Sequence, residues 1–273
     1  MISVRAAGSD EILYSLVGTS YNTVKTVRSC LSSIVNHLET KEMELIVCDS
    51  LSTDGTPDAI REFQPFFKRL KVISRRCSRG KGRQIAFDHS SGSYVIQFDL
   101  DAIYNEGLLR LFEWHKKVKP DYAIIAGNSI YPRTLIERVG GWRDLNWSED
   151  LDLWIRLTLT GKCKWYAYET NNNIHLQSCK DKHKHTLFRI KRRYRTLRDL
   201  MALHRISLTI GVRIYGLNPV ILLWLVSKFI SFAVRNVVDV RRYSRESIID
   251  KNLIDLGLPG ETFIWYPNGF ILD

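Results

Sequence analysis

"SYVIQFDLDAIYN" (Ser93–Asn105) begins as a strand and ends as something else. Tyr94, Val95, Ile96 and Phe98 are β-branched or aromatic, as a buried strand requires. The run then breaks into Asp99, Leu100 and Asp101. The pair follows a strand, so the chain is turning into a loop and both carboxylates can reach one hard divalent cation. A solvated strand end is the plain alternative. A second pair, Asp150 and Asp152, lies in "SEDLDLWIRLTL", where the apolar spacing is helical. On a helix, residues two apart diverge by about 200°, so only the first pair is placed to share an ion.

Outward from this stretch, four more apolar runs have the same character: "EILYSLVGTS" (Glu11–Ser20), "MELIVCDS" (Met43–Ser50), "LKVISRR" (Leu70–Arg76) and "YAIIAGN" (Tyr122–Asn128). Helical patterns separate several of them. "VKTVRSCLSSIVNHL" (Val24–Leu38) repeats its apolar residues on one face, and "TPDAIREFQPFF" starts with Thr56 as an N-cap and Pro57 at the first helical position. Strand and helix in alternation predict an α/β fold with a mainly parallel sheet and helices on both faces. Such sheets bind ligands beyond the carboxyl ends of their strands. The polar groups fall there: "TSYN" (Thr19–Asn22), Asp49 with "STDGT" (Ser52–Thr56), "SRGKGR" (Ser78–Arg83), and the Asp99/Asp101 pair. Four loops that converge on one sheet edge predict a site.

The chain has 273 residues, of which 45% are hydrophobic, enough for a sizeable core. Its five cysteines are odd in number and form no C-x-x-C, which argues against a zinc knuckle or a disulfide framework and for buried thiols in a reducing compartment. The first residues, "MISVRAAGSDEILYSLVG", lack the long apolar run and cleavage site of a signal peptide. The net charge is +11. Lys180–Arg213 holds eleven Lys or Arg against Asp181 and Asp199, a surplus of 11 − 2 = +9 in one segment. A local surplus of this kind implies a polyanionic partner: lipid, nucleic acid or phosphorylated substrate.

Five blocks in order resemble an inverting family 2 glycosyltransferase of the GT-A fold, of the membrane-associated archaeal or bacterial type. "SLVGTSYN" is similar to the family's opening strand and T-x-Y-N turn, and "IVCDSLSTDGT" to its V-D-D-G-S-T-D-G-T, with Ser50 and Leu51 replacing the second Asp and the Gly. "RGKGRQIAFDHSSGSYVIQFDLDA" matches the G-K-G to D-x-D block, and "VGGWRDLNWSEDLDLWIRL" the G-G-F and E-D-x-D blocks. The resemblance covers roughly residues 10–160. It implies residues 1–178 as the GT-A catalytic domain.

The resemblance also implies the roles. A nucleotide-sugar donor would sit on Thr19, Tyr21 and Asp49 through its base and ribose. Arg79 and Lys81, read as a glycine-flexed loop, would face its diphosphate or base. Asp99 would contact the ribose side and the metal's waters, and Asp101 would ligate Mg²⁺ or Mn²⁺. His183, in "KDKHKH", stands where some relatives offer a metal ligand; a solvated histidine in a basic run is the alternative. Asp150 would be the general base for an acceptor hydroxyl and Glu149 would position it or bind the acceptor. Ser148 as N-cap with acidic residues in a first helical turn explains the same residues structurally. Asp152 and Arg156 read as a surface or supporting ion pair, and Gly140, Gly141 and Trp142 as the acceptor side.

Residues 179–240 read as basic amphipathic and apolar helices, and 241–273 as a tail. Pro219–Val234 is sixteen residues broken by Lys228. As a helix it would span about 24 Å, short of the roughly 30 Å bilayer core. With basic residues on both flanks, it reads as interfacial helices at the cytoplasmic face of the cell membrane, peripheral or shallowly inserted through 180–238. A buried C-terminal helix is the alternative. The expected partners are a nucleotide-sugar donor, a lipid-linked or glycolipid acceptor and an anionic membrane surface, with no nucleic acid. Among donors GDP-mannose comes first and UDP-glucose next. Rival readings are a polyprenyl-phosphate glycosyltransferase, a nucleotidyltransferase and a nucleic-acid-binding protein.

Overall fold

A computed structural model describes residues 12–165 and Thr170. His183, the basic and apolar segment 179–240 and the tail lie outside the described residues. Seven strands form one sheet in the order β3-β2-β1-β4-β6-β5-β7. They are β1 (Tyr14–Ser20), β2 (Glu44–Asp49), β3 (Arg69–Ser74), β4 (Tyr94–Gln97), β5 (Ala123–Ile125), β6 (Ile130–Pro132) and β7 (Cys163–Trp165). The helices are α1 (Val24–His37), α2 (Thr56–Arg61), α3 (Arg79–Asp88), α4 (Glu106–Val118), α5 (Arg133–Arg138) and α6 (Glu149–Thr158).

β3, β2, β1 and β4 are mutually parallel. β6 runs antiparallel to both β4 and β5, and β7 is parallel to β5. Alternation along the strands divides the core into two layers. Leu16, Leu45, Val47 and Ile96 face α1, α2 and α4, whose Val27, Leu31, Ile60, Leu108 and Leu111 complete that layer. Val17, Ile46, Cys48 and Val95 face α3, α5 and α6, with Ile85, Phe87, Ile136, Leu153 and Leu157. β1 and β2 are buried on both faces, which is why their sequences read as nearly continuous apolar runs, whereas β3, at the sheet edge, is partly exposed.

The chain reverses strand order at β1. β2 and β3 lie on one side of it and β4 on the other, so the crevice beyond the carboxyl ends of β1 and β4 is the place where such a sheet binds ligands. Two local expectations change. Gly55, in the left-handed region at φ 88°, is the N-cap of α2, and Pro57 falls at its second position. Asp54 does the capping: Oδ1 accepts from Thr56 N at 3.0 Å and Oδ2 from Val24 N at 3.0 Å, tying the starts of α1 and α2 together. Cys30, Cys48, Cys77 and Cys163 are unpaired thiols, and all but Cys77 are buried.

Candidate active site

Asp99 and Asp101 lie in the turn after β4, as the sequence implies, while Leu100 between them turns into the core at 2% exposure. The turn is held from behind. Tyr104 Oη accepts from Asp99 N at 2.9 Å and donates to Asp99 O at 3.0 Å, and Thr26 Oγ1 donates to Leu100 O at 3.0 Å. These bonds fix the backbone so that the Asp99 side chain, 60% exposed, projects into the crevice. Asp101 is half-buried beside it.

The organising side chain is Arg83, which the sequence reading did not single out. It is 1% exposed, on the sheet-facing side of α3. Its Nη2 donates to Asp99 Oδ1 at 2.8 Å and to Asp150 Oδ2 at 3.1 Å, and its Nε lies 3.6 Å from Glu149 Oε1. One guanidinium therefore joins the end of β4 to the start of α6. Burial works against its charge, and the carboxylates of Asp150, Asp99 and Glu149 more than offset that. Arg83 Nη1 and Asp150 Oδ1 are buried with no hydrogen-bond partner, so the cluster keeps both a donor and an acceptor in reserve. Helical spacing carried the signal: Arg83 shares α3's apolar face with Phe87, an unusual place for an unpaired cation.

Glu149 and Asp150 begin α6. Glu149 is 2% exposed and lies 3.6 Å from Arg79 Nε as well as from Arg83. Asp150 keeps 22% of its side-chain surface exposed. Burial raises its pKa to about 7; Arg83 opposes the rise, and Glu149 and Asp99 add to it. Ser148 occupies the N-cap position, but in the left-handed region at φ 60° and without a capping bond. The carboxylates after it are oriented by Arg83 rather than by a capping serine.

Arg79 and Lys81 are not on a flexed loop. They form the first turn of α3, capped by Ser78 Oγ, which accepts from Lys81 N at 3.1 Å. The two glycines of this turn, Gly80 and Gly82, serve close packing. A Cβ at Gly80 would lie 2.1 Å from Arg143 O, and one at Gly82 would lie 2.5 Å from Thr19 Oγ1. Gly80 N donates to Leu145 O at 2.8 Å. The start of α3 is thereby pressed against both the β1 turn and the loop that leads to Glu149. Arg79 is half-exposed and its guanidinium lies 6.0 Å from the centre of the Trp147 ring.

Thr19 donates to Cys48 O at 3.0 Å. Tyr21 is 62% exposed at the crevice rim, which removes the alternative of a core aromatic. Asp49 is fully buried. Its Oδ1 accepts from Ser20 Oγ at 2.7 Å and Ser52 Oγ at 2.6 Å, and Oδ2 from Ser52 N at 2.8 Å. Asp49 thus shapes the turn that places Leu51, exposed and at φ 58°, at the crevice rim. Asp152 and Arg156 are buried, not a surface pair. Arg156 Nη2 donates to Asp152 Oδ2 at 2.6 Å and to Gly141 O at 2.7 Å. That pair braces the Gly140–Gly141 turn, where both residues have positive φ. Trp142 is 3% exposed and packs between Phe87 and Tyr131.

Among the described residues no group of three His, Cys, Asp or Glu side chains converges as a metal cage, and no helix is long and apolar enough to cross a membrane. Two hard-oxygen carboxylates in one turn fit a cation that takes its other ligands from phosphates and water. Asp99 Oδ1 accepts from Arg83 at 2.8 Å.

Comparison with known proteins accords with this arrangement. The model of the family described as glycosyl transferase family 2 matches residues 15–167. A poly(ribitol-phosphate) beta-glucosyltransferase of Bacillus spizizenii is 30% identical over 115 residues, 40% of this chain and 18% of that protein. The Escherichia coli UDP-Glc:alpha-D-GlcNAc-diphosphoundecaprenol beta-1,3-glucosyltransferase WfgD is 30% identical over 97 residues, 35% of this chain and 37% of that protein. The chain thus spans well under half the length of these relatives. The mannosyltransferase PcManGT of Pyrobaculum calidifontis, solved with GDP-Man and Mn²⁺, superposes with a TM-score of 0.58 at 16% identity, covering 81% of this chain and 76% of that one. At that identity the likeness is one of fold.

Proposed function

The chain belongs to glycosyl transferase family 2, and from that premise we propose that it transfers a hexose from a nucleoside-diphosphate sugar to an acceptor hydroxyl with inversion. The observation that carries this reading is the Arg83 bridge. It brings Asp99 within 2.8 Å and Asp150 within 3.1 Å of one nitrogen, so the donor-side and base-side carboxylates share one crevice.

In this reading the base lies over Tyr21 at the rim, and the diphosphate lies between the Asp99–Asp101 turn and the start of α3. Asp101, with Asp99, would hold a divalent cation, Mg²⁺ or Mn²⁺. Bound there, the cation supplies charge stabilisation to the departing diphosphate. Asp150 takes the proton of the acceptor hydroxyl as its oxygen bonds to the anomeric carbon and the bond from that carbon to the diphosphate breaks. A single displacement with one base inverts the anomeric centre. A carboxylate with a pKa raised to about 7 is matched to that task. The Arg83 charge, beside both carboxylates, adds to the stabilisation of the charge that develops on the leaving group.

The acceptor in this reading is a lipid-linked sugar at the membrane surface. The E. coli relative named for a diphosphoundecaprenol-linked acceptor supports this, as does the basic segment 180–213. A hydroxyl acceptor needs the base that Asp150 provides; a polyprenyl phosphate is already ionised. The relative named for UDP-Glc and a second glucosyltransferase relative favour a glucosyl donor, UDP-glucose first, and the shared fold of a GDP-Man enzyme keeps GDP-mannose beside it. The test is calorimetry with UDP-glucose, GDP-mannose and UDP-GlcNAc, each in Mn²⁺ and in EDTA. One donor should bind in Mn²⁺ and lose at least tenfold in affinity in EDTA. No binding by any of the three would contradict the reading.

A further inference from the structure

Behind the two carboxylate elements lies a buried polar chain that the chemistry above does not use. Tyr131, in the middle of β6, is fully buried on the α3/α5/α6 side of the sheet. Its hydroxyl donates to Gln97 Oε1 at 2.8 Å and accepts from Trp154 Nε1 at 2.7 Å. Its one proton is thus committed to Gln97, and Trp154 occupies an acceptor site. Gln97 is the last residue of β4, two before Asp99. Its carbonyl accepts from Asn128 Nδ2 at 3.0 Å and its N–H donates to Ser129 O at 3.0 Å. Phe98, between Gln97 and Asp99, packs so closely on Gly18 that a Cβ there would lie 2.8 Å from its ring. Trp154 stands one turn after Asp150 on α6, so the two share a helix face.

We propose that Tyr131 is a positioning residue whose hydroxyl fixes α6 against β4 and so aims Asp150 at the donor held by Asp99. This rests on the proposed role of Asp150 as base. The surrounding layer of Val95, Phe87, Trp142 and Leu153 is apolar, and a phenylalanine would fill the same volume there. The hydroxyl, amide and indole are costly to bury unless all three are satisfied, and a satisfied network selects one relative placement of the elements it joins. Arg83 ties the same two elements at the crevice, and Tyr131 ties them from within the core. Both ties are needed to fix a helix in rotation and in register. A displacement of about 1 Å in a reacting group can lower turnover by about 100-fold.

The experiment compares wild type, Tyr131→Phe, Trp154→Phe, the double variant and Asp150→Asn. Transfer from UDP-glucose and from GDP-mannose in Mn²⁺ is measured with a membrane lipid extract as acceptor, and each rate is normalised to folded protein by circular dichroism. Tyr131→Phe should lower kcat by about 10- to 100-fold and leave the donor KM within about twofold. Trp154→Phe keeps the Tyr131 hydroxyl and loses the indole N–H together with part of the ring, so it should show the same split once its rate is normalised to folded protein. The double variant should be no worse than Tyr131→Phe alone. A normal kcat in Tyr131→Phe, or a donor KM that rises as kcat falls, would overturn the inference. Full activity in Asp150→Asn would instead overturn the proposed base, a separate failure.

Discussion

Arg83 donates through Nη2 to Asp150 at 3.1 Å across 67 residues of sequence, and the same nitrogen holds Asp99. Removal of the guanidinium would leave Asp99, Glu149 and Asp150 to repel one another in a poorly solvated recess. Breaking such a buried cluster costs about 3–5 kcal/mol. Arg83→Ala should therefore lower the denaturation midpoint and abolish transfer. Arg83→Lys keeps the charge but has no planar fork to span two elements. It should recover part of the stability and little of the activity, as urea melts and rate measurements on the same samples would show.

Asp150 has a pKa raised to about 7, first by burial, then by Glu149 and Asp99 against the pull of Arg83. As a base it works only when ionised, so kcat should rise with pH and level off above about 7. Stability runs the other way. The folded pKa lies above the unfolded value near 4, so protonated Asp150 is the better tolerated form. Its contribution is complete below about pH 4 and is lost as pH rises through about 7. At pH 8, Asp150→Asn should be inactive yet melt about 2–4 °C higher than wild type. An unchanged or lower midpoint would mean that Arg83 needs the Asp150 charge more than burial penalises it.

Gly80 is set by contact rather than by flexibility. A Cβ there would lie 2.1 Å from Arg143 O and 3.0 Å from Glu149 Cβ. Gly80→Ala should push α3 away from the loop that leads to α6, at a cost of about 1–3 kcal/mol, and lower turnover as Glu149 and Asp150 shift. Lys81→Ala, an exposed change on the same turn, should leave the melting midpoint within about 0.5 kcal/mol of wild type.

His115 is fully buried and its Nδ1 lies 3.0 Å from Tyr14 Oη. Burial pushes its pKa down to about 4. The neutral ring is the folded form, so its contribution is present above about pH 6.5 and is lost as pH falls toward 4. Urea titrations should show stability falling by on the order of 3 kcal/mol over that window. His115→Gln should flatten the fall.

The sequence made the first five strands and α1 legible because each lies in an apolar run bounded by polar or small residues. β6 and β7 span three residues each, too short for any period, so the reversed strand β6, antiparallel to its neighbours β4 and β5, was not foreseen. The D-x-D turn and the α6 carboxylates were legible as residues, but their meeting was not. It depends on Arg83, one residue beyond the Gly-Lys-Gly that drew the reading toward a mobile loop. Asp152 and Arg156 show the same limit: an i,i+4 pair looks alike on a surface and in a core, and only the Gly140–Gly141 turn it braces distinguishes them. Asp49 was legible as a polar group at the end of β2. Its full engagement by Ser20 and Ser52 became visible only when β1 and β2 stood side by side.

The most direct test separates the two carboxylate elements that Arg83 joins. Donor affinity by calorimetry in Mn²⁺, with UDP-glucose and GDP-mannose, should be lost in Asp101→Asn and kept within about threefold in Asp150→Asn, whose transfer rate falls by at least 100-fold. Equal loss of donor binding in both variants, or undiminished transfer in Asp150→Asn, would contradict the division of labour between the β4 turn and the start of α6.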